Sequence, residues 1–468
     1  MTQSPRRGMR RDQRSQYTFT RTVPTDSVIM NWQATLQTYR DIRLLWIFLM
    51  GCSSGFPFVL IGSNFSGWLT DAGISRAQVG LMGSVATVYA VNFMWAPLID
   101  RVRIPVLGSR LGQRRSWILS MQLLMLLLVL AITQVDLSLG LWLPGVIALG
   151  IAVCSATQDI AVDAYRIDQF APQEQKFLPP AAALAIIGWW TGYSLPGYLA
   201  FSNADGLGWN QVYVLMAAVL VVLICATLMV GEPKSDRDAL QQQAAVRYSR
   251  TTGVRAWLLV TFIEPFADFF RKNGVRVALT LMLFIFLFKI GEAFLGRMSI
   301  VFYKEVGFSN QQIAEYTKLF GWMITIAFTI LGSLFNTRFG VVKGLLIGGV
   351  AMAASNLMFA IIAVSGPLEW LLLLTLIVDN FTTAFSTVAF VSFLTALTGR
   401  AFSATQYALL ASLGNLSRTT LAGFSGFTVD WLGSWERFFV VTALMVLPSL
   451  LMLFMVRDRF ERLAQEGS

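Results

Sequence analysis

Apolar blocks of nearly membrane-spanning length recur along this chain, and they restrict its fold more than any other feature. Residues 44–61, 116–132 and 212–230 form three of them. Each approaches the ~20 residues a helix needs to cross a hydrocarbon core of about 30 Å. Lipid offers no hydrogen-bond partner to an open backbone, so these blocks are expected as helices. The ~10-residue alternating segments of a membrane barrel are not seen. Charge agrees with this reading. Only 13% of the 468 residues are charged, against about a quarter in an ordinary soluble domain.

The blocks predict an all-α membrane protein of about 12 transmembrane helices in two six-helix halves. The expected spans are 44–66, 79–99, 116–134, 141–164, 177–200 and 212–230, then 277–302, 318–335, 344–364, 368–397, 404–428 and 436–456. The halves therefore occupy 44–230 and 277–456. A polar linker, 231–276, separates them and includes an amphipathic piece at 264–271. Tails at 1–43 and 457–468 complete the chain. Residues 1–29 carry six arginines and no apolar core, which is not the pattern of a cleaved signal. They are expected as a disordered tail, with Met30 as an alternative start to Met1.

Basic residues orient the bundle. With both termini in the cytoplasm, 29 of the 36 Lys and Arg fall on that side. The opposite loops hold Arg76, Lys304, Lys318 and Arg437, while Lys289, Arg297 and Arg418 fall within helices. Retention of basic loops on the cytoplasmic side predicts this asymmetry. It also accounts for the net charge of +10 without nucleic acid. Cys52, Cys154 and Cys225 all lie in apolar blocks, with no disulfide or metal spacing. Histidine is absent, so proton handling falls to carboxylates. No nucleophile–base pair points to an enzyme, and no cofactor is implied.

Charges inside the membrane are costly, about 2.5–3.5 kcal/mol each on insertion scales, and mark a cavity, a proton path or a partner. Gln158, Asp159 and Asp163 lie late in helix four, with Arg166 and Asp168 beyond. Spacings of four and three put residues 159, 163 and 166 on one face. That face suits a cation, a proton or a salt bridge closing the bundle. In helix seven Lys289 and Glu292 are an i, i+3 pair: either they neutralise each other, or protonation of Glu292 frees Lys289 for an anionic substrate. Proton coupling is expected of Glu292, Asp379 and Asp159, in that order, with Asp163 beside them. Gln158, Lys289, Arg297, Asn380, Gln406 and Arg418 are candidate substrate-binding groups. Trp189, Trp190 and Tyr193 lie among Gly188 and Gly192, where a sugar-stacking platform and close helix packing are both open readings. The halves echo each other, with Asp159 and Asp163 in helix four answered by Asp379 and Asn380 in helix ten, as in transporters built from repeats.

Several motifs together resemble the AmpG muropeptide permeases of the major facilitator superfamily. The run from Cys154 to Asp168, Cys-Ser-Ala-Thr-Gln-Asp-Ile-Ala-Val-Asp-Ala-Tyr-Arg-Ile-Asp, is similar to their helix-four signature. Trp95-Ala-Pro-Leu-Ile-Asp-Arg101, Leu111-Gly-Gln-Arg-Arg-Ser-Trp117 and Trp68-Leu-Thr-Asp-Ala-Gly73 agree. So do Phe288-Lys-Ile-Gly-Glu-Ala-Phe294, Ala389-Phe-Val-Ser-Phe-Leu394 and the segment 402–410. The resemblance implies import of N-acetylglucosaminyl-anhydromuramyl peptides with protons across the bacterial inner membrane. The pathway it implies is peptidoglycan recycling, linked to β-lactamase induction. It also implies a cytoplasmic latch from Asp100, Arg101, Arg114 and Arg115, with Arg166 near it. The protein is expected to work as a monomer among lipids. Where family members carry a tyrosine–arginine pair in helix five, this chain reads Gly188-Trp-Trp-Thr-Gly192. Competing readings are a permease for another bulky anion, such as a siderophore or acyl-coenzyme A ester, and a non-transporting membrane assembly factor.

Overall fold

A proline sets the shape of the first helix. Pro57 has no N–H to give the carbonyl of Ser53 one turn earlier, and the chain beyond it relaxes into a π-helical stretch. The helix α1 thus runs through Ile42–Phe58, the wider turns Val59–Asn64, and Phe65–Asp71. The computed structural model describes residues 36–74, 78, 82, 84–233, 239–242, 253–308, 321–420 and 424–454. Side chains at some helical positions, Arg297 and Arg418 among them, also lie outside the described residues.

The described first half continues with α2 (Val85–Met94, then Ala96–Arg101), α3 (Gln113–Ile132), α4 (Trp142–Asp168), α5 (Leu178–Leu207) and α6 (Trp209–Met229). The second half holds α7 (Val275–Phe288 and Ile290–Val306), α8 (Gly321–Phe339), α9 (Val341–Ser365), α10 (Glu369–Leu397), α11 (Ser403–Thr420) and α12 (Trp435–Phe454). In α7 the backbone departs from helical geometry at Lys289. A linker helix, Glu264–Asn273, precedes α7 where the amphipathic piece was expected. Gly340, at φ 92°, is the one residue between α8 and α9, a left-handed turn that a side chain would strain.

Several boundaries differ from expectation, helix four running to Asp168 and helix five to Leu207. The tail expected to reach residue 43 gives way to α1 at Ile42, and that helix extends to Asp71. Helix eleven, expected to 428, is described to Thr420, and a short helix covers Ser425–Leu432, with 421–423 outside the described residues. The start of the second span lies partly outside the described residues.

Each half has its own apolar interior. Phe56, Phe65, Met125, Ile151 and Met216 join one in the first half. Phe284, Phe288, Leu345 and Phe393 anchor one in the second. Close approach of α1 and α5 depends on small residues: a Cβ on Gly55 would overlap the Trp189 carbonyl, and one on Gly192 the Cys52 carbonyl. Among the described residues, eight helices are long and apolar enough to cross a membrane, and α2, α5, α8 and α11 fall short of that standard. For α2 and α8 the shortfall is one of described length, the stretches Val85–Met94 and Met323–Phe339 being apolar.

Candidate functional site

Two cavities lie between the halves and adjoin at Phe58, Ile186 and Trp189. The first, of about 950 Å³, is walled by α1, α2, α4 and α5 on one side and chiefly α11 on the other. Asp159, Asp163 and Arg166 all face it, so the shared helix face read from their spacing is a cavity wall. Ser54 Oγ donates to Asp159 at 2.7 Å. Arg166 reaches Asp163 at 3.1 Å, donates to Thr395 Oγ1 across the halves at 2.8 Å, and lies 5.0 Å over the Tyr407 ring. Asn92, Tyr407, Ser412 and Asn415 add polar groups to these walls.

The second cavity, of about 1140 Å³, lies between α1 and α5 of one half and α8 and α10 of the other. Trp189, Trp190 and Tyr193 form part of its wall, and Asn380 faces them. Trp189 and Tyr193 are stacked at 5.4 Å and 11°. Asn380 accepts a hydrogen bond from Thr325 at 2.8 Å and donates to the Leu376 carbonyl at 2.7 Å. The glycines of the segment 188–193 pack on α1, while its aromatic rings face the cavity.

Lys289 and Glu292 meet at 2.5 Å beside the break in α7. Lys289 is 4% exposed and also donates to Ser386 at 2.9 Å and Thr387 at 3.0 Å. Thr387 is a lining residue of the second cavity, so the ion pair is one hydroxyl away from it. Asp379 accepts from Ser355 at 3.2 Å, inside the same half.

The end of the bundle carrying the basic loops is where the halves are joined. Arg114, fully buried, donates to Asp168 at 2.9 Å, to Asp100 at 2.9 Å and to Ser403 Oγ at 2.8 Å. Ser403 in turn donates to Asp168 at 2.8 Å. Asp100, from the end of α2, accepts from the backbone N–H groups of Ala404 and Thr405 at 3.2 and 2.8 Å and from the Thr405 hydroxyl at 2.7 Å. One half thus supplies a carboxylate to the positive N-terminus of a helix in the other, a favourable placement.

Several expected residues are placed differently. Gln158 is fully buried and turned away from both cavities; its Nε2 donates at 2.6 Å to the Ser53 carbonyl, the group that Pro57 leaves without a helical partner. Gln406 likewise lines neither cavity. It accepts from the Gly399 N–H at 2.7 Å and donates to the Pro265 carbonyl at 3.0 Å, holding the linker helix against α11. Arg115 ties α3 to α6 within the first half, donating to the Thr227 and Leu228 carbonyls at 3.2 and 2.7 Å. Arg101 is half-buried at the end of α2. Sequence reasoning passed over Thr325, Thr329, Thr383 and Thr387. Their spacing of four on α8 and α10 was a usable signal, since it puts each pair on one helix face.

A family model described as "Acetyl-coenzyme A transporter 1" matches residues 45–150. "Putative transporter AmpG 4" of Rickettsia felis is 31% identical over 423 residues, covering 90% of this chain and 98% of that protein. "Anhydromuropeptide permease" of Escherichia coli K12 is 30% identical over 428 residues, covering 91% of this chain and 82% of its own length. Among solved structures, the major facilitator transporter FucP in the outward conformation superposes with a TM-score of 0.65 at 14% identity, covering 89% of this chain and 99% of FucP. The proton:xylose symporter XylE, bound to 6-bromo-6-deoxy-D-glucose, gives 0.62 at 16%, covering 91% and 96%. At those identities the likeness concerns the fold.

Proposed function

We propose, because the chain belongs to the AmpG permease family with a major facilitator fold, that it imports anhydromuropeptides together with protons. It is a multi-pass membrane protein that carries a small-molecule substrate and is not an enzyme. In the proposed setting it lies in the bacterial inner membrane with both termini cytoplasmic. It returns wall fragments from the periplasm for peptidoglycan recycling and so contributes to β-lactamase induction.

The observation that carries this reading is the pair of adjoining cavities between the halves, large enough together for a sugar–peptide conjugate, the first lined by Asp159, Asp163 and Arg166. Alternating access then has assignable parts. Asp100, Arg114 and Arg166 act as the latch of the cytoplasmic end, since each bonds from the first half to the second. Arg101 and Arg115, as neighbours within the first half, would steady the loop that presents them. Glu292 is the first candidate for the coupling proton. When it is ionised it holds Lys289; once protonated it gives up most of that attraction, and the change reaches the cavity through Thr387. Asp379, Asp159 and Asp163 are the further candidates.

Purified protein in sealed vesicles, offered labelled anhydromuropeptide, tests the proposal. Uptake should accumulate substrate when the outside is acidic and only equilibrate it when no gradient is imposed. Absence of uptake by folded protein overturns the reading. The partial match to an acetyl-coenzyme A transporter model favours one second reading, transport of an acyl-coenzyme A ester. An acyl-coenzyme A ester included as competitor separates the two, because it should not slow muropeptide uptake.

A further inference from the structure

The walls of the two cavities differ in kind. Among the described lining residues, every charged side chain, Asp159, Asp163 and Arg166, belongs to the first. The second cavity has no Asp, Glu, Lys or Arg on its described walls. One side of it is aromatic: Trp189 and Tyr193 lie nearly parallel, and Trp190 stands edge-on to both at 84° and 85°. The facing side presents Thr325, Thr329, Asn380, Thr383 and Thr387, arranged in rows by helical spacing.

These walls select by chemistry. Flat aromatic rings offer apolar faces to the C–H surface of a sugar ring, while hydroxyl and amide groups opposite can meet its hydroxyls. An ionised group entering this compartment would lose water without meeting a counter-charge. The first cavity has the opposite character. Asp159 and Asp163 suit an ammonium group, and Arg166 suits a carboxylate, so a zwitterionic fragment finds both partners there.

We propose that the substrate lies across the junction at Trp189, its neutral saccharide between α5, α8 and α10 and its charged, amine-bearing peptide between α4 and α11. This assignment rests on the reading of the cargo as a sugar–peptide conjugate. It adds a consequence for the transport cycle. The aromatic wall belongs to the first half and the hydroxyl wall to the second, so a bound sugar touches both halves. Its affinity therefore differs between arrangements in which those walls are close and apart, which is what lets a ligand shift such an equilibrium.

The experiment measures displacement of labelled conjugate from the full-length protein by two unlabelled probes, the peptide-free disaccharide and the sugar-free peptide stem. Trp190→Ala and Asn380→Ala should weaken competition by the disaccharide about tenfold and leave the peptide unchanged. Asp159→Asn should do the reverse. Trp190→Phe serves where Trp190→Ala prevents folding, as judged by melting temperature, and Asp159→Asn already keeps the shape of its side chain. Equal weakening of both probes, or the opposite pattern, overturns the orientation while leaving the cargo reading intact. Failure of wild-type protein to bind the conjugate overturns the cargo reading, and the orientation falls with it.

Discussion

Arg114 and Lys289 are both buried cations held by carboxylates, yet the first reaches across the boundary between the halves and the second stays within its own. Arg114 sits between Asp100 and Asp168 and adds Ser403 from the other half. Lys289 is satisfied by Glu292, Ser386 and Thr387, all between α7 and α10. The difference lies in what must move. A group bridging two bodies breaks its bonds when they separate, whereas one inside a body keeps its geometry through the same motion. Arrangements of the first kind set which state is populated. Those of the second kind can change charge at nearly fixed geometry, as proton coupling requires.

Removing the cation from the bridging group should produce the largest effect. Arg114→Met leaves the carboxylates of Asp100 and Asp168, 3% and 1% exposed, without their buried partner. Breaking such a pair costs about 3–5 kcal/mol. The melting temperature should fall sharply, and a cysteine introduced as Ser412→Cys in a background lacking the native cysteines should be labelled faster from the basic end. An unchanged melting curve with unchanged labelling would show that this cluster does not hold the end closed.

Glu292→Gln sharpens the other side of the comparison. It keeps the shape of the side chain and removes only its charge and proton. Gradient-driven uptake should fall about tenfold, a barrier change of about 1.4 kcal/mol, while exchange of labelled for unlabelled substrate continues. Pumping at the wild-type level would take Glu292 off the proton path. Loss of exchange as well would make it a binding group.

How far the sequence carried the reading depends on which neighbours a residue needs. The helices were legible because lipid imposes length and apolarity on each one separately. The common face of Asp159, Asp163 and Arg166 was legible because helical geometry places it without reference to the rest of the fold. Gln158 sits on the same helix and was misjudged, because its role depends on the Ser53 carbonyl that Pro57 frees on α1, a partner 105 residues away. Gln406 failed likewise, its partners lying on the linker helix. The weak hydropathy of α5 and α11 goes with walls turned toward the cavities, a signal that the spans alone did not use.

A third ion pair, at the edge of the first half, gives the smallest expected effect and completes the comparison. Arg43 reaches Asp41 at 2.7 Å, Glu174 at 2.8 Å and the Gln169 carbonyl at 2.9 Å, and lies 4.4 Å over the Phe170 ring. It neither bridges the halves nor borders a cavity, and its carboxylate partners are partly exposed. Hydrogen bonds from Arg43 hold the carboxyl groups of Asp41 and Glu174 below their ordinary range. A depressed carboxylate stabilises the fold fully above its unfolded value of about 4 and loses that contribution as pH falls through the folded one. Exposed pairs of this kind contribute about 0.2–1 kcal/mol. Arg43→Gln should therefore lower the melting temperature slightly at neutral pH, and the difference from wild type should close on acidification below that range. A difference that persists in acid would mean that Arg43 acts through its stacking on Phe170, a contact indifferent to pH, and not through its carboxylates.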